Sequence, residues 1–330
     1  MLAAPAAFAR REPSGARPIN LNKDSEQILD LLDQAFGPLP SGRGQRMLIS
    51  PSGIEFGPFL GSRRSRTVPG FVWVESGRIV GTLSLLPVQR SDKYLVANVA
   101  VRQEYRRRGI ATELMKTAID YIRHRGGREI SLQVDRDNDA ANRLYDNLDF
   151  QSLGDVNHWT STTASLRPID MQASTGIRIR SLSRGDERTA YDLDLRCMPS
   201  NLRWPAPPRR SLYSQGYWRK MVDFFNGRKF AGWIAEAMEN ESGNLQPVGI
   251  AYIDSEWARP HEIALRVVDE WRDLVDRQIV SRVLEYAKSN RPGQLRINHM
   301  ADDDLVNELL REANFRLKRC LRIMRCVLDE

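Results

Sequence analysis

Cysteine is scarce: the 330 residues hold three, Cys197, Cys320 and Cys326. The count is odd and no CxxC pair occurs, so neither a disulfide framework nor a zinc site is indicated. Small buried apolar side chains in a reducing compartment fit this usage better. Histidine is equally rare, and His124, His158, His261 and His299 show no HxxxH spacing. No metal is expected. No apolar run approaches the roughly 20 residues needed to span a bilayer. There is no GxSxG elbow and no Walker loop. "GRGQRM" at 42–47 starts like a dinucleotide loop, but no clear strand precedes it and the third glycine is missing. Acid is in deficit against base, giving a formal net charge of +7. That suits an anionic partner, either a nucleotide cofactor or a nucleic acid.

Hydrophobic residues make up 41% and charged residues 28%, a soluble globular balance. The length suggests two domains. Residues 1–17 are Ala- and Arg-rich and read as a disordered tail. Residues 37–70 are rich in Gly, Pro, Ser and Arg, and a loop of that length is usually functional or disordered. Between these, a helix is expected over "DSEQILDLLDQAF" with a start signal at Asp24/Ser25. Strand patterns follow in "GFVWVESGRIVGTLSLLPV", a hairpin turning at Glu75-Ser76-Gly77, and in "YLVANVAV". Ala111 to His124 carries Leu114, Ala118, Ile119 and Ile122 on one helical face. "EISLQV", "NDAANRLYDNLDF" and "DVNHWTSTTAS" read as strand, helix and strand.

After a polar linker at 167–176 the pattern recurs. Tyr121 aligns with Tyr286, Leu144 with Leu309 and Phe150 with Phe315, at a constant offset of 165. An internal repeat of this length means two copies of one architecture. Each copy reads β-α-β-β-β-α-β-α-β.

The stretch "VANVAVRQEYRRRGIATELM" passes from strand to helix through three arginines and a glycine. Adjacent cations repel one another, so an anion is expected there. A helix N-terminus offers unpaired N–H groups and the positive end of the macrodipole. Gly109 lets a ligand approach the backbone. Together they suit a pyrophosphate.

The segment resembles motif A of the GNAT superfamily, the GCN-five-related N-acetyltransferases, whose loop reads (Gln/Arg)-x-x-Gly-x-(Gly/Ala). Arg106, Gly109 and Ala111 match it. "LQVDRDNDAANRLYDNLDF" is similar to the family's later motif at Asn138, Tyr145 and Phe150. The resemblance covers most of residues 18–166. It implies an α/β (α+β) fold of two tandem GNAT-like domains, each a mixed, mostly antiparallel, splayed sheet flanked by helices. It implies acetyl-CoA as co-substrate, with no metal. Backbone groups of Val99, Ala100 and Val101 would bond the pantetheine arm beside a splayed strand. Arg106, Arg107, Arg108, Gly109, Ile110, Ala111 and Thr112 would form the pyrophosphate loop. Asn138 would contact the cofactor arm, and Tyr145 would protonate the departing sulfur. The expected reaction is direct acetyl transfer to a primary amine of a small molecule, a peptide or a protein, in a ternary complex. Gln133 stands where some members carry a Glu general base, and it cannot accept a proton. Glu75, Glu104 and His158 are the alternatives.

In the second copy the loop reads Arg272-Asp273-Leu274-Val275-Asp276, without glycine and with acids for bases. Tyr145 falls on Leu310 and Asn138 on Asp303. Residues 18–166 are therefore expected to be the acetyl-CoA domain. Residues 177–330 are expected to be a degenerate copy with a structural or acceptor-site role. Each copy ends early enough to need the other to finish its sheet edge. A cytoplasmic monomer or homodimer is expected. A non-catalytic acyl-CoA sensor is the second reading. A nucleic-acid binder is disfavoured, because the basic "RLKRCLRIMR" is ordinary strand alternation and no RNA-binding aromatic signature occurs.

Overall fold

Two compact units emerge from the chain. The computed structural model describes residues 14–37, 70–88, 92–170, 176–198, 210–225, 227–238, 244–257 and 259–328. Nearly all of the 37–70 segment, the "GRGQRM" motif and most of the N-terminal tail lie outside the described residues. The first unit runs to Val134, adds Asn138–Ser152 and takes back Met324–Glu330; the second comprises Asp135–Asp137 and Leu153–Ile323.

The first unit begins with β1 (Gly15–Pro18) and α1 (Leu21–Phe36). Residues 15–17, expected in a disordered tail, thus belong to a strand. The helix also starts at Leu21, three residues before the expected Asp24. Asn20 is its N-cap, with a side chain that accepts from the Asn22 N–H. Asp24 is instead a buried anchor that accepts from both Arg17 guanidinium nitrogens and from the Asn20 N–H. Those bonds outweigh burial and hold its carboxyl below the usual range.

β2 (Gly70–Glu75) and β3 (Arg78–Pro87) form the expected hairpin, and β4 (Lys93–Val101) pairs antiparallel with β3. α2 (Ile110–His124) crosses back, so β5 (Glu129–Asp135) lies parallel to β4. α3 (Asp139–Asp146) follows, and β6 (Gln151–Thr162) comes next. The sheet order is β1-β2-β3-β4-β5, then the end of β12 (Arg316–Val327).

α2 buries Ile110, Leu114, Met115, Ala118, Ile119 and Ile122 along one stripe. Each of these side chains other than Ala118 contributes about 1.5–3 kcal/mol. The helix lies close to the sheet because Gly81 has no side chain: a Cβ there would meet Ile110 Cγ2 at 2.9 Å. On the opposite sheet face α1 packs Ile28, Leu31 and Leu32 against Val72, Val74, Ile79 and Ala100. Arg102, which drew no attention in the sequence, is buried. It donates to Ile79 O (3.0 Å), Gln34 Oε1 (2.9 Å) and Asp30 Oδ2 (2.7 Å), tying β4 to α1.

The second unit repeats the order. It runs β7 (Ile177–Ser181), α4 (Glu187–Cys197), α5 (Tyr217–Phe225), β8 (Lys229–Met238), β9 (Leu245–Ser255) and β10 (His261–Val267). α6 (Arg272–Ser289), β11 (Gln294–Met300), α7 (Asp304–Glu312) and β12 close it. α5 has no counterpart among the described residues of the first half. The repeat holds in fine detail. Asp149 and Asn314, related by the offset, both adopt positive φ, 62° and 68°. Phe150 N–H bonds Tyr145 O as Phe315 N–H bonds Leu310 O.

The boundary departs from residues 18–166. Most of β6 belongs to the second unit, where it pairs antiparallel with β11, Trp159 opposite Ile297. In return Met324, Cys326 and Leu328 are buried in the core of the first unit, among Leu132, Tyr145 and Phe150. A hydrophobic pattern shows that a strand needs a covered face, but not which sheet covers it.

Met324 is 1% exposed in that core. Met324→Ala should cost about 2–5 kcal/mol and lower the thermal transition of the first unit. An unchanged transition would show that the end of the chain does not complete the first unit.

Candidate functional site

β4 and β5 run as a ladder only through Lys93–Glu129, Tyr94–Ile130 and Leu95–Ser131. Past that point both strands continue without this pairing. β4 also carries an irregularity where Thr82 faces Ala100 but Ser84 faces Ala97. Asn98, at φ 54°, absorbs the extra residue. Such a bulge re-aims the strand and breaks the regular bonding. Val99, Ala100 and Val101 therefore lie on the stretch of β4 bordering the splay, where the resemblance puts the pantetheine arm.

β4 ends in a 3-10 turn (Gln103–Tyr105) and the loop enters α2. Arg107 has φ 62°, and Gly109, the N-cap, has φ 77° and ψ −1° in the left-handed region. A Cβ on Gly109 would meet nothing within 4 Å, so its surroundings are open. The first helical bond joins Glu113 N–H to Gly109 O at 3.0 Å. The N–H groups of Ile110, Ala111 and Thr112 precede it and have no helical acceptor. Left-handed residues beside a helix start make an anion-binding concavity.

The arginine side chains divide. Arg106 Nε donates to Val101 O at 3.1 Å. Arg108 donates to Glu104 O (3.1 Å), stacks over Tyr105 at 4.9 Å and lies 3.8 Å from Glu75. Arg107 makes no hydrogen bond or ion pair among the described residues. Two of the three arginines thus brace the loop, a division the sequence could not show.

Asn138 is the N-cap of α3, its Oδ1 accepting from Ala141 N–H at 3.2 Å. Its side-chain oxygen is thus engaged in the cap. Tyr145 is 5% exposed and packs on Phe150, ring centroids 5.8 Å apart. Burial raises its hydroxyl well above the ordinary value near 10. Gln133 lies on β5, and its Oε1 is buried without a partner. Of the possible bases, His158 belongs to the second unit. Burial, and then Arg319, Arg296 and Lys318, push it down to about 4, so it holds a proton weakly. Glu104 lies 3.4 Å from Arg78. No group of three metal-ligating side chains occurs among the described residues. Nor does any helix among them have the length and apolarity to cross a membrane.

In the second unit the corresponding space is filled. α6 starts at Trp271 and Arg272 without a glycine. Arg272 donates to Asp303 Oδ2 at 2.6 Å, and His299 Nε2 lies 2.6 Å from the same oxygen. Asp303 caps α7 as Asn138 caps α3. Although burial opposes it, the His299 bond and Arg272 hold the Asp303 carboxyl below its usual range. Asp276 is 3% exposed, and burial, with Asp303 and Asp273 nearby, pushes it up to about 8 against the pull of Arg272. An ion pair spans the two helix starts, and a carboxyl occupies the first turns of α6. In the first unit Asn138 and the 106–112 loop share no such bond among the described residues.

A model of the acetyltransferase (GNAT) family matches residues 39–150. N-alpha-acetyltransferase 30 of Schizosaccharomyces pombe is 35% identical over 83 residues, 24% of this chain and 55% of that protein. The N-alpha-acetyltransferase RimI of Mycobacterium tuberculosis is 29% identical over 134 residues, 40% of this chain and 75% of that protein. The match with the yeast relative therefore spans about half of its length. A tandem GNAT protein from the clavulanic acid biosynthesis pathway superposes with a TM-score of 0.50 at 16% identity, over 96% of this chain and 98% of that one. A GCN5-related N-acetyltransferase from Sphaerobacter thermophilus gives a TM-score of 0.58 at 18% identity, over 94% and 95%. At such identities the structural likeness speaks to the fold. Residues 39–150 thus match the GNAT family, and the whole chain, with its repeated architecture, shares the fold of a tandem GNAT protein.

Asp276 gives a measurable consequence. Its folded pKa, about 8, exceeds the unfolded value near 3.9. The unfolded state ionises first, so the group costs stability as pH rises from about 4 to 8, on the order of 4 kcal/mol at pH 7. Asp276→Asn should melt higher than the parent at pH 7, with the gap closing toward pH 4. Equal melting temperatures at pH 7 would show that this carboxyl carries no such penalty.

Proposed function

We propose that the first unit transfers acetyl from acetyl-CoA to a primary amine and that the second unit binds no acetyl-CoA. The observation that carries this is the left-handed Gly109 start of α2 beside the splay of β4 and β5, with Tyr145 on the neighbouring helix. The N–H groups of Arg107 to Thr112 would hold the pyrophosphate, and the free Arg107 side chain would add attraction. Val99, Ala100 and Val101 would bond the pantetheine arm through their backbone, and the Asn138 amide nitrogen would assist.

In the reaction the amine nitrogen attacks the thioester carbonyl carbon. The tetrahedral adduct collapses, the C–S bond breaks, and the sulfur takes the Tyr145 proton. The nitrogen loses a proton and the acetamide leaves; solvent restores the Tyr145 hydroxyl. With ordinary pKa values, Tyr-to-thiolate transfer is uphill by about 2 kcal/mol. Burial raises Tyr145, but it raises a thiol too: in this chain Cys197 is pushed up to about 11, mainly by burial. A thiolate formed in the same dry pocket gains basicity alongside the phenol, so the gap stays modest.

In the second unit, the Arg272–Asp303 pair and the buried, largely protonated Asp276 side chain oppose a pyrophosphate by bulk, and Asp273 opposes it by repulsion. Two curated relatives are named N-alpha-acetyltransferases, which puts peptide N-termini among the acceptors to be tried. The second reading, a non-catalytic acyl-CoA sensor, is favoured by Gln133 alone.

Calorimetric titration with acetyl-CoA should give one site per chain, abolished by Gly109→Glu. Tyr145→Phe should retain that affinity and lose about 10²–10⁴ in kcat, read as CoA release with amine acceptors. Two sites would overturn the assignment of the second unit. No binding would overturn the acetyltransferase reading, and full activity in Tyr145→Phe would remove its role as acid.

A further inference from the structure

In the first unit, side chains of β3, β4, β5 and the end of β12 divide between two sheet faces. Leu83, Leu85, Val96, Leu132, Val134, Met324 and Cys326 belong to the core under α2. Strand alternation turns Thr82, Ser84, Ser131, Gln133 and Arg325 to the other face. Asn98 joins them, because its Nδ2 donates to Ser84 Oγ at 3.1 Å. α1 covers this face beside Val72, Val74, Ile79 and Ala100. Thr82 pairs with Ala100 beneath α1, and Ser131 sits on the last rung of the β4–β5 ladder, where the splay opens.

Buried polar groups in native proteins are nearly always bonded. Here four adjacent strands each supply one that is not: Thr82 Oγ1, Asn98 Oδ1, Gln133 Oε1 and Arg325 Nε are buried without a partner. Thr82 is fully buried and Asn98 is 4% exposed. Arg325 is half-buried and makes no hydrogen bond or ion pair among the described residues. The nearest acid in sequence register on this face, Glu129, is engaged by Lys93 at 2.8 Å. A half-buried guanidinium without a counter-ion is costly unless a ligand supplies one. The orphaned carbonyl oxygens have the opposite need, for N–H donors.

The Leu328 N–H bonds Arg128 O at 2.9 Å. With β12 antiparallel to β5, Arg325 then stands opposite Ser131 and diagonal to Gln133, a spacing of roughly 7–8 Å between residues and somewhat less between their Cβ atoms. Both side chains are long enough to converge on one small molecule.

We propose that the acceptor binds on this face, its amine on the carbonyl oxygens of Asn98 and Gln133 and a carboxylate of its own on Arg325. The substrate class is therefore an amine that carries a carboxylate, an amino acid or a short peptide. This deepens the reading of the first unit as an acetyltransferase and rests on it. Bidentate capture of a carboxylate is what a guanidinium does best. The carbonyl oxygens aim the nitrogen without charging it.

The test is CoA release from acetyl-CoA with amino acids and dipeptides, each set beside its carboxamide. The parent should prefer the carboxylate form by about 10–100-fold in kcat/KM, the size of one charge-assisted hydrogen bond. Arg325→Gln should erase that preference through acceptor KM while still binding one acetyl-CoA, and Arg325→Lys should restore part of it. Gln133→Leu should raise KM for both forms. An equal rate with carboxylate and carboxamide would overturn the proposal, as would a preference that survives Arg325→Gln. If Arg325→Gln fails to fold, seen as lost acetyl-CoA binding, the parent's own comparison still decides. Acetyl-CoA binding without turnover of any amine would instead overturn the acetyltransferase reading itself.

Discussion

β4 and β5 begin as a parallel pair and then part, and the backbone groups they no longer share must find other partners. A buried peptide group left without a bond costs about as much as a lost hydrogen bond. The separation is therefore stable only if other features set it. The bulge at Asn98 turns β4, Gly81 lets α2 sit low on the sheet, and Arg102 locks the end of β4 onto α1. These three features fix the N-terminus of α2 at the mouth of the splay. On the proposed reading, the same molecule meets both the open helix start and the open strand edge.

The two units show how little need change to close such a site. Their elements follow one order, and their helix caps fall at equivalent positions, Asn138 and Asp303. Replacing the amide by a carboxylate gave Arg272 and His299 a partner. Losing the glycine removed the left-handed start of the helix. The fold tolerates this because its core stripe is separate: Val275, Ile279, Val283 and Ala287 stay buried along α6. Scaffold and chemistry occupy different faces of one helix, so one can drift while the other is held.

The element order and the repeat were legible because both rest on periodic apolar residues, which burial enforces locally. The loop was legible because Arg106, Gly109 and Ala111 sit at fixed spacing where strand meets helix. What stayed hidden depends on long-range partners. Asn20 and Asp24 were both plausible caps, and only the reach of Arg17 settles which one anchors the fold. Arg102 looks like any basic residue until Asp30 and Gln34 come round to meet it. The exchange of β6 and the end of β12 leaves no local trace, since a strand's alternation is the same in either sheet. Arg325 was read as one of several charges on an ordinary strand face. Its lack of a counter-ion is visible only when the face is assembled.

The missing carboxylate at Gln133 then bears on the amine. At pH 7.4 an amine with a pKa near 10.4 is almost wholly protonated, and presenting it neutral costs roughly 4 kcal/mol. The α-amine of a peptide, with a pKa of about 7.7–8.0, costs less than about 1 kcal/mol. Neutral carbonyl oxygens such as Asn98 Oδ1 and Gln133 Oε1 can orient a nitrogen but cannot take its proton. A nearby guanidinium adds to the effect, because a cation disfavours a second positive charge and so lowers the pKa of a bound ammonium. Arg325, placed to hold a carboxylate, would thus cancel the pull by which the acceptor's own carboxylate keeps its amine protonated. On the proposed reading, a site without a strong base is matched to an acceptor that scarcely needs one, and α-amines meet that condition better than lysine side chains or polyamines.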